Sequence, residues 1–145
     1  MKLTVAWIGK TKDRAIQEMT DKYLNRLVHY ANVEALSLKD DGKLLKLSEG
    51  KSGGYTSIAL DSRGKQLSSE GLAEFLRSHQ DRGSAHLLFA VGGPDGLSKQ
   101  VQSTAAFTLS LGKMTLSHEL ARVVLLEQLY RAFTILKGHP YHVGH

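Results

Sequence analysis

The chain has 145 residues, of which 41% are hydrophobic and 23% are charged, a composition typical of one globular domain rather than of a disordered or fibrous protein. It contains no cysteine, which excludes disulfides, thiolate metal sites and a cysteine nucleophile. The formal net charge is +5 at pH 7, which suits a polyanionic partner such as a nucleic acid, although many basic proteins bind none.

The first elements alternate between strand and helix. Residues 3–8 form a short apolar run that predicts a buried strand, and the lysines directly after it argue against a signal peptide. No apolar run approaches the eighteen or so residues of a membrane helix, so we expect a cytoplasmic protein. Residues 13–30 carry apolar side chains at helical spacing, and residues 33–38 predict a second strand.

The next segment, residues 39–54, is rich in lysine and glycine. It predicts a mobile basic segment with at most a short helix. Residues 56–60 predict a third strand, after which Ser68 or Ser69 can cap a helix.

The run 86–91 is continuously apolar, as expected of a parallel strand covered by helices on both faces, and we place it at the centre of the sheet. The sequence Gly-Gly-Pro-Asp-Gly at residues 92–96 ends this strand sharply. Residues 98–106 then have a helical tendency, and residues 107–111 predict a fifth strand.

The last predicted helix covers residues 117–137, with Ser117 as N-cap and Gly138 directly after its end. Its apolar residues surround most of its circumference, which indicates burial on nearly all sides. In so small a domain one face is expected to meet a second subunit, the alternative being the central helix of a monomer. The alternation of strands and helices predicts an α/β layered fold with a parallel sheet.

Standard nucleotide and hydrolase motifs fail. Residues 9–11 and 50–52 each end like a phosphate-binding loop, but Thr4 and Leu45 stand where its first glycine is required. There is no Gly-x-Gly-x-x-Gly turn after the fourth strand and no Gly-x-Ser-x-Gly elbow. A dinucleotide cofactor and a serine hydrolase are therefore not favoured.

Three histidines at a spacing of three, His139, His142 and His145, suggest a metal site at first sight. They follow a glycine and straddle Pro140, so they do not share a helical face, and no carboxylate lies in the tail to complete a site. We expect no metal and interpret these imidazoles as solvated or facing RNA.

Four ordered segments of the second half carry the most specific signal. They are FAVGGPDG at residues 89–96, LSLGKMTLSH at 109–118, LEQLYRAF at 126–133 and HPYH at 139–142. In that order and spacing they resemble the SPOUT-class methyltransferases that methylate N3 of a pseudouridine in a helix-capping loop of large-subunit ribosomal RNA. The resemblance covers the whole chain.

The resemblance implies a knotted three-layer α/β fold, with residues 1–145 as one methyltransferase domain and a trefoil knot formed by roughly residues 88–145. It implies S-adenosylmethionine as cofactor, held largely by backbone groups, and a homodimer that acts on ribosomal RNA of the assembled ribosome, with no membrane and no metal. The positions that match the family's cofactor site are Leu60, Gly93, Gly112, Lys113, Met114, Thr115, Leu116 and Ser117.

The position of the tail and its residue types suggest that it contacts the target base. Tyr141 and His142 are the catalytic candidates, with His142 the better general base on its intrinsic pKa. Arg122 and Arg131 in the last helix are expected to form a helix-surface or interface ion pair, such as Glu127 with Arg131, rather than to contact RNA.

The tail departs from the family pattern because Val143, Gly144 and His145 follow His142 where a lysine or arginine is usual. His145 or Lys113 are the candidates to replace that charge. The candidate basic residues for an RNA-facing dimer surface are Lys12, Arg14, Lys43, Lys46 and Lys51, the alternative for each being a merely solvated side chain.

Other functions stay open from sequence alone. A knotted methyltransferase that acts on another RNA and a non-catalytic ribosome-binding protein of the same fold are the nearest alternatives, and a flavodoxin-like nucleotide binder rests only on the α/β alternation.

Overall fold

The computed structural model describes residues 1–49, 55–83 and 86–143. Strands and helices alternate along the chain as the sequence predicts. The strands are β1 (Lys2–Ile8), β2 (Asn32–Leu38), β3 (Thr56–Gln66), β4 (His86–Val91) and β5 (Phe107–Ser110). The helices are α1 (Arg14–Leu27), α2 (Asp41–Glu49), α3 (Ser69–Asp81), α4 (Lys99–Thr104) and α5 (His118–Lys137).

The five strands form one sheet in the order β2-β1-β4-β3-β5, and every neighbouring pair is parallel. The apolar strand β4 occupies the centre, which confirms its predicted position. Parallel strands require crossover connections, and the helices that provide them cover both faces of the sheet. The predicted α/β layered class is therefore correct.

The two faces of the sheet have different cores. Large side chains of β1 and β4, such as Leu3, Trp7 and Phe89, pack on one face with residues of α1, α3 and α5. On the other face the shorter helices α2 and α4 contribute Leu44 and Val101. That second face carries a row of small side chains across three adjacent strands, in which Ala6 and Ala59 both pair with Ala90. Small side chains allow these short helices to approach the sheet closely.

Strand β3 is longer than the sequence indicates. It pairs with β5 through Leu60 and, after a bulge, through Lys65, so that both residues lie opposite Leu109. The polar run 61–64 broke the apolar pattern, which is why the predicted strand ended at residue 60. A Cβ on Gly64 would lie 2.7 Å from the backbone oxygen of Thr108, so this close approach of two backbones requires glycine.

The basic segment 39–54 is more structured than expected over its first part. Helix α2 has nine residues, and Leu44 is completely buried against the sheet. Residues 50–54, which include Lys51, lie outside the described residues.

The long helix α5 has both predicted caps. The Ser117 hydroxyl accepts a hydrogen bond from the backbone N–H of Leu120, and Gly138 adopts the left-handed conformation at φ 70°. The helix packs against α1 and α3 and crosses the face of the sheet where the larger core lies. None of the helices in the described ranges is long and apolar enough to cross a membrane.

Candidate functional site

A cavity of about 630 Å³ opens at the bulge of β3 and at the ends of β4 and β5. Three segments form its walls: the bulge of β3, the glycine-rich turn after β4, and the segment between β5 and α5. The carboxyl ends of parallel strands are where open α/β sheets bind their ligands. The cavity is large enough for a small-molecule cofactor.

Seven of the eight residues predicted to hold a cofactor line this cavity. They come from all three wall segments. They are Leu60, Gly93, Gly112, Met114, Thr115, Leu116 and Ser117. The eighth, Lys113, is exposed and is not part of the lining. The segment from Gly112 to Ser117 leads directly into α5, so the cavity also borders the free N–H groups of the first turn of that helix.

The turn after β4 depends on its glycines. A Cβ on Gly92 would lie 2.5 Å from the backbone carbon of Gly96, whereas a Cβ on Gly93 would meet Ile8 at an ordinary 3.6 Å. The N–H of Gly96 donates to the carbonyl of Gly93 at 2.9 Å and closes the turn. Gly92 is thus required by the fold, whereas an alanine would fit at Gly93, which lines the cavity.

The prediction missed Asp61 in the cavity wall. Its Oδ1 accepts hydrogen bonds from the backbone N–H (2.8 Å) and Nε (3.0 Å) of Arg63, and its Oδ2 accepts from Nη2 (3.1 Å). The side-chain hydrogen bond from Arg63 is the main reason that the pKa of Asp61 is lowered, so the group is a carboxylate at neutral pH. The available signal was a polar run at the end of an apolar strand.

Two more polar residues that the prediction did not include line the same cavity. Asp95 belongs to the turn after β4, and His118 is the first residue of α5. Together with Asp61 and Arg63 they add ionisable groups to a glycine-rich cavity whose lining is both polar and apolar. A few polar groups of this kind can fix the orientation of a bound cofactor.

Arg122 is not on the helix surface as expected, but completely buried. Its Nη2 donates to the carbonyl of Ile8 at 2.8 Å and its Nη1 to the Thr11 hydroxyl at 3.0 Å, and the guanidinium lies 5.1 Å from the ring centre of Trp7. Burial lowers the pKa of Arg122, an effect that nearby Glu119 opposes. This arginine joins α5 to the loop after β1.

Glu119 holds the same loop from the preceding turn of α5. Its Oε1 accepts the backbone N–H groups of Lys12 (3.0 Å) and Asp13 (3.3 Å), and these backbone hydrogen bonds contribute to its lowered pKa, the bond from Asp13 most of all. The loop after β1 is therefore fixed by two neighbouring side chains of one helix, beside the wall of the cavity.

The tail after α5 folds back along its own helix. The Tyr141 hydroxyl donates to Oε2 of Glu127 at 3.0 Å, and the same oxygen receives Nη2 of Arg131 at 3.1 Å. The predicted ion pair between Glu127 and Arg131 is thus confirmed. Burial, followed by hydrogen bonds with Tyr23 and Glu127, raises the pKa of Tyr141, so it remains a protonated phenol.

His142 is held at both ring nitrogens. Nη1 of Arg131 lies 2.9 Å from its Nδ1, and Oε1 of Glu70 lies 2.7 Å from its Nε2. Neither His142 nor Tyr141 belongs to the cavity lining of its own chain. The structure brings the two catalytic candidates together, but not to the cofactor candidates.

The terminal histidines do not converge. His139 bonds through Nδ1 to the Tyr30 hydroxyl at 2.5 Å, whereas His142 faces Glu70 and Arg131. His145 lies outside the described residues. Across residues 1–49, 55–83 and 86–143, no group of three or more His, Asp or Glu side chains is arranged to hold a metal ion.

Comparison with known protein families adds evidence to this geometry. A family model described as "Predicted SPOUT methyltransferase" matches residues 1–142. The chain belongs to the SPOUT methyltransferase family. The family assigned from the four sequence motifs is confirmed, and the cavity lies among the segments that carry the first two of them.

Curated and solved relatives agree with this assignment. "Ribosomal RNA large subunit methyltransferase H" of Koribacter versatilis (strain Ellin345) is 54% identical, with 100% of both chains covered. A probable methylase family protein from Haemophilus influenzae Rd KW20 has a similar fold, with a TM-score of 0.61 at 11% identity over 98% of this chain and 70% of the other.

A second solved structure is the SpoU methyltransferase AviRb from Streptomyces viridochromogenes, in complex with the cofactor AdoMet. It has a TM-score of 0.54 at 13% identity. The match covers 94% of this chain but only 58% of the AviRb chain. These likenesses to solved structures establish the SPOUT fold of the chain.

Proposed function

We propose that this protein transfers a methyl group from S-adenosylmethionine to N3 of a pseudouridine in large-subunit ribosomal RNA, with the assembled ribosome as substrate. The name of the full-length relative that is 54% identical supports the choice of RNA. The observation that carries the proposal is the cavity of about 630 Å³ formed by the segments that contain the family's motifs.

The lining of the cavity fits this cofactor. Gly93 and Gly112 permit a ligand to approach the backbone closely, and Leu60, Leu116 and Met114 offer apolar surface for an adenine ring. The carboxylates of Asp61 and Asp95 suit a cofactor that carries a cationic sulfonium and an ammonium group. When bound, the cofactor supplies the electrophilic methyl group.

The chain's own residues have two tasks in the reaction. At neutral pH the imide nitrogen of the base mostly carries its proton. A side chain must therefore remove this proton or stabilise the anion that forms. Tyr141 and His142 are the proposed catalytic residues because they are the polar groups of the family's tail motif. The cavity walls fix the direction of attack, and such orientation is worth several kcal/mol.

We propose a homodimer because the tail of one chain does not reach that chain's own cavity. Tyr141 and His142 are held on Glu127, Arg131 and Glu70 instead. In the proposed dimer the tail of one subunit serves the cavity of its partner. Apolar side chains of α1 and α5 remain exposed, among them Met19 at 42% and Leu120 at 39%. Their exposure supports an interface with a second subunit.

The trefoil knot in residues 88–145 and a cytoplasmic location belong to the same proposal. The sheet order, in which β5 pairs with β3 at the edge beside the cavity, is compatible with such a knot. A dimer also offers the RNA surface that a single small domain lacks. Four proposed surface residues, Lys12, Arg14, Lys43 and Lys46, are exposed as that surface requires.

Transfer of a radiolabelled methyl group tests the proposal. Purified protein and labelled S-adenosylmethionine are incubated with assembled ribosomes, free large-subunit RNA or transfer RNA. We expect label in the RNA of assembled ribosomes and much less in the other two. Label in transfer RNA would indicate a different RNA substrate, and cofactor binding without any transfer would indicate a non-catalytic binding protein.

A further inference from the structure

The hydrogen bonds of His142 define which of its nitrogens carries a proton. Its side chain is only 12% exposed, with Arg131 on Nδ1 at 2.9 Å and Glu70 on Nε2 at 2.7 Å. A guanidinium group has five N–H donors and no acceptor. Nδ1 of His142 must therefore accept from Arg131 and cannot itself be protonated.

The opposite nitrogen faces an acceptor. Glu70 stands in the first turn of α3, and its pKa is lowered, first by a backbone hydrogen bond and then by the bond to His142. As a carboxylate it can only accept hydrogen bonds, so Nε2 of His142 carries the proton. These two contacts place the ring proton on Nε2 and leave no free lone pair on the ring.

Arg131 is itself fixed in position. Its Nε and Nη2 both bond to Oε2 of Glu127, at 3.2 and 3.1 Å, and its guanidinium lies 4.9 Å from the ring centre of Tyr141. Nη1 remains to bond with His142. The orientation of the imidazole is thus set by an arginine that has little freedom to turn away.

We propose that His142 acts as a hydrogen-bond donor to a carbonyl oxygen of the target base, and not as a general base, with Arg131 as the positioning residue that enforces this tautomer. This inference rests on the proposed methyltransferase function. In the free protein, Nε2–H of His142 donates to the carboxylate of Glu70. In the proposed reaction, the base oxygen on which negative charge develops replaces that carboxylate as the acceptor.

The reaction balances with this assignment. The N3–H bond of the base breaks and its proton passes to water, and the resulting charge spreads onto the neighbouring carbonyl oxygens. One of these oxygens accepts the Nε2–H of His142. The electron pair of N3 forms the new bond to the methyl carbon, and the carbon–sulfur bond breaks with its electrons on sulfur, which leaves neutral S-adenosylhomocysteine.

Glu70 can give way to the substrate. Its side chain is 61% exposed and its contact with His142 lies at the surface, where such pairs are weak and side chains exchange readily with water. Arg131, in contrast, is 22% exposed and held by Glu127. The hydrogen bond from His142 to Glu70 can therefore be exchanged for one to the substrate, while the hydrogen bond from Arg131, which determines the tautomer, is retained.

The tautomer can be measured without any methyl transfer. In ¹⁵N spectra of ring-labelled histidine, with His142 assigned from the His142→Gln spectrum, we expect an unprotonated Nδ1 and a protonated Nε2 at the assay pH. The matched control Glu70→Ala should keep this pattern, and Arg131→Met should lose it to a mixture of forms. A protonated Nδ1 in the wild-type protein would overturn the proposal.

Two substitutions of His142 then separate a donor from a base. Glutamine has an N–H donor but no basic nitrogen, and alanine has neither. We expect His142→Ala to reduce kcat by about 100-fold or more, the typical cost of a lost donor to a developing charge. We expect His142→Gln to retain kcat within about tenfold, whereas loss of a general base costs about 10²–10⁴-fold.

Two substitutions of Arg131 distinguish its proposed positioning role from a merely structural role. Arg131→Lys keeps a donor for Nδ1 and should recover part of the kcat that Arg131→Met loses, with KM for ribosomes little changed. Equal losses in the two His142 variants, or full activity of His142→Ala, would contradict the proposed role. Failure of wild-type transfer would refute the proposed function, and the ¹⁵N spectra would still decide the tautomer.

Discussion

Gly93→Ala is expected to weaken cofactor binding without harming the fold. A Cβ at this position would meet Ile8 at 3.6 Å, an ordinary contact, and the residue needs no left-handed backbone. Because Gly93 lines the cavity, the new methyl group would add volume to the cavity wall beside Ile8. Overpacking of this kind costs about 1–3 kcal/mol, which corresponds to roughly 5- to 150-fold weaker binding of S-adenosylmethionine.

Titration calorimetry with S-adenosylmethionine measures this loss, and thermal unfolding without cofactor reports the fold. Gly92→Ala is the matched variant, since its Cβ would lie 2.5 Å from backbone carbon of Gly96. It should lower the melting temperature of the free protein as well as the affinity. If Gly93→Ala binds cofactor as tightly as the wild type, the ligand does not approach this turn and the proposed site is wrong.

Three further predictions concern stability. Arg122→Ala removes a completely buried guanidinium and leaves the carbonyl of Ile8 and the hydroxyl of Thr11 without their donor. Together with the cavity that the shortened side chain creates, this should reduce the free energy of unfolding by about 2–5 kcal/mol in urea titrations, a change below about 1 kcal/mol being incompatible with this packing. Ser117→Ala loses the cap of α5 and should cost about 1 kcal/mol in the same assay, whereas Thr115→Ala, outside the helix, should cost less. The folded pKa of Asp61 is lowered, so its contribution to stability is present above the unfolded pKa of about 4 and lost as pH falls through the folded pKa. Asp61→Asn should therefore make the free energy of unfolding decrease less steeply as the pH is lowered. An unchanged pH dependence would count against the pairing with Arg63.

The regular elements were predictable because local signals agree with the fold. Continuous apolar runs mark the parallel strands, and Ser117 and Gly138 mark the ends of α5. The bulge in β3 was missed because Leu60 and Lys65 share one partner, Leu109, and such a register shift leaves no periodic trace in sequence.

The site was predictable only in part. The glycine-rich turn after β4 breaks an apolar strand, so its place at the sheet edge follows from the sequence. The burial of Arg122 does not, because a single arginine within an apolar helix has the same pattern whether it faces solvent or the loop after β1. The contact of His142 with Glu70 joins residues 72 positions apart, and neither the spacing nor the composition of the tail indicates that pairing.

Mass-spectrometric mapping of the modified nucleotide shows which atom of the RNA receives the methyl group. Ribosomes that lack the modification are treated with the protein and S-adenosylmethionine carrying a deuterated methyl group, and the large-subunit RNA is digested and sequenced by fragmentation. We expect a deuterated methyl group on N3 of a pseudouridine. A methyl group on another base or on a ribose, or none after incubation with active cofactor-bound protein, would contradict it.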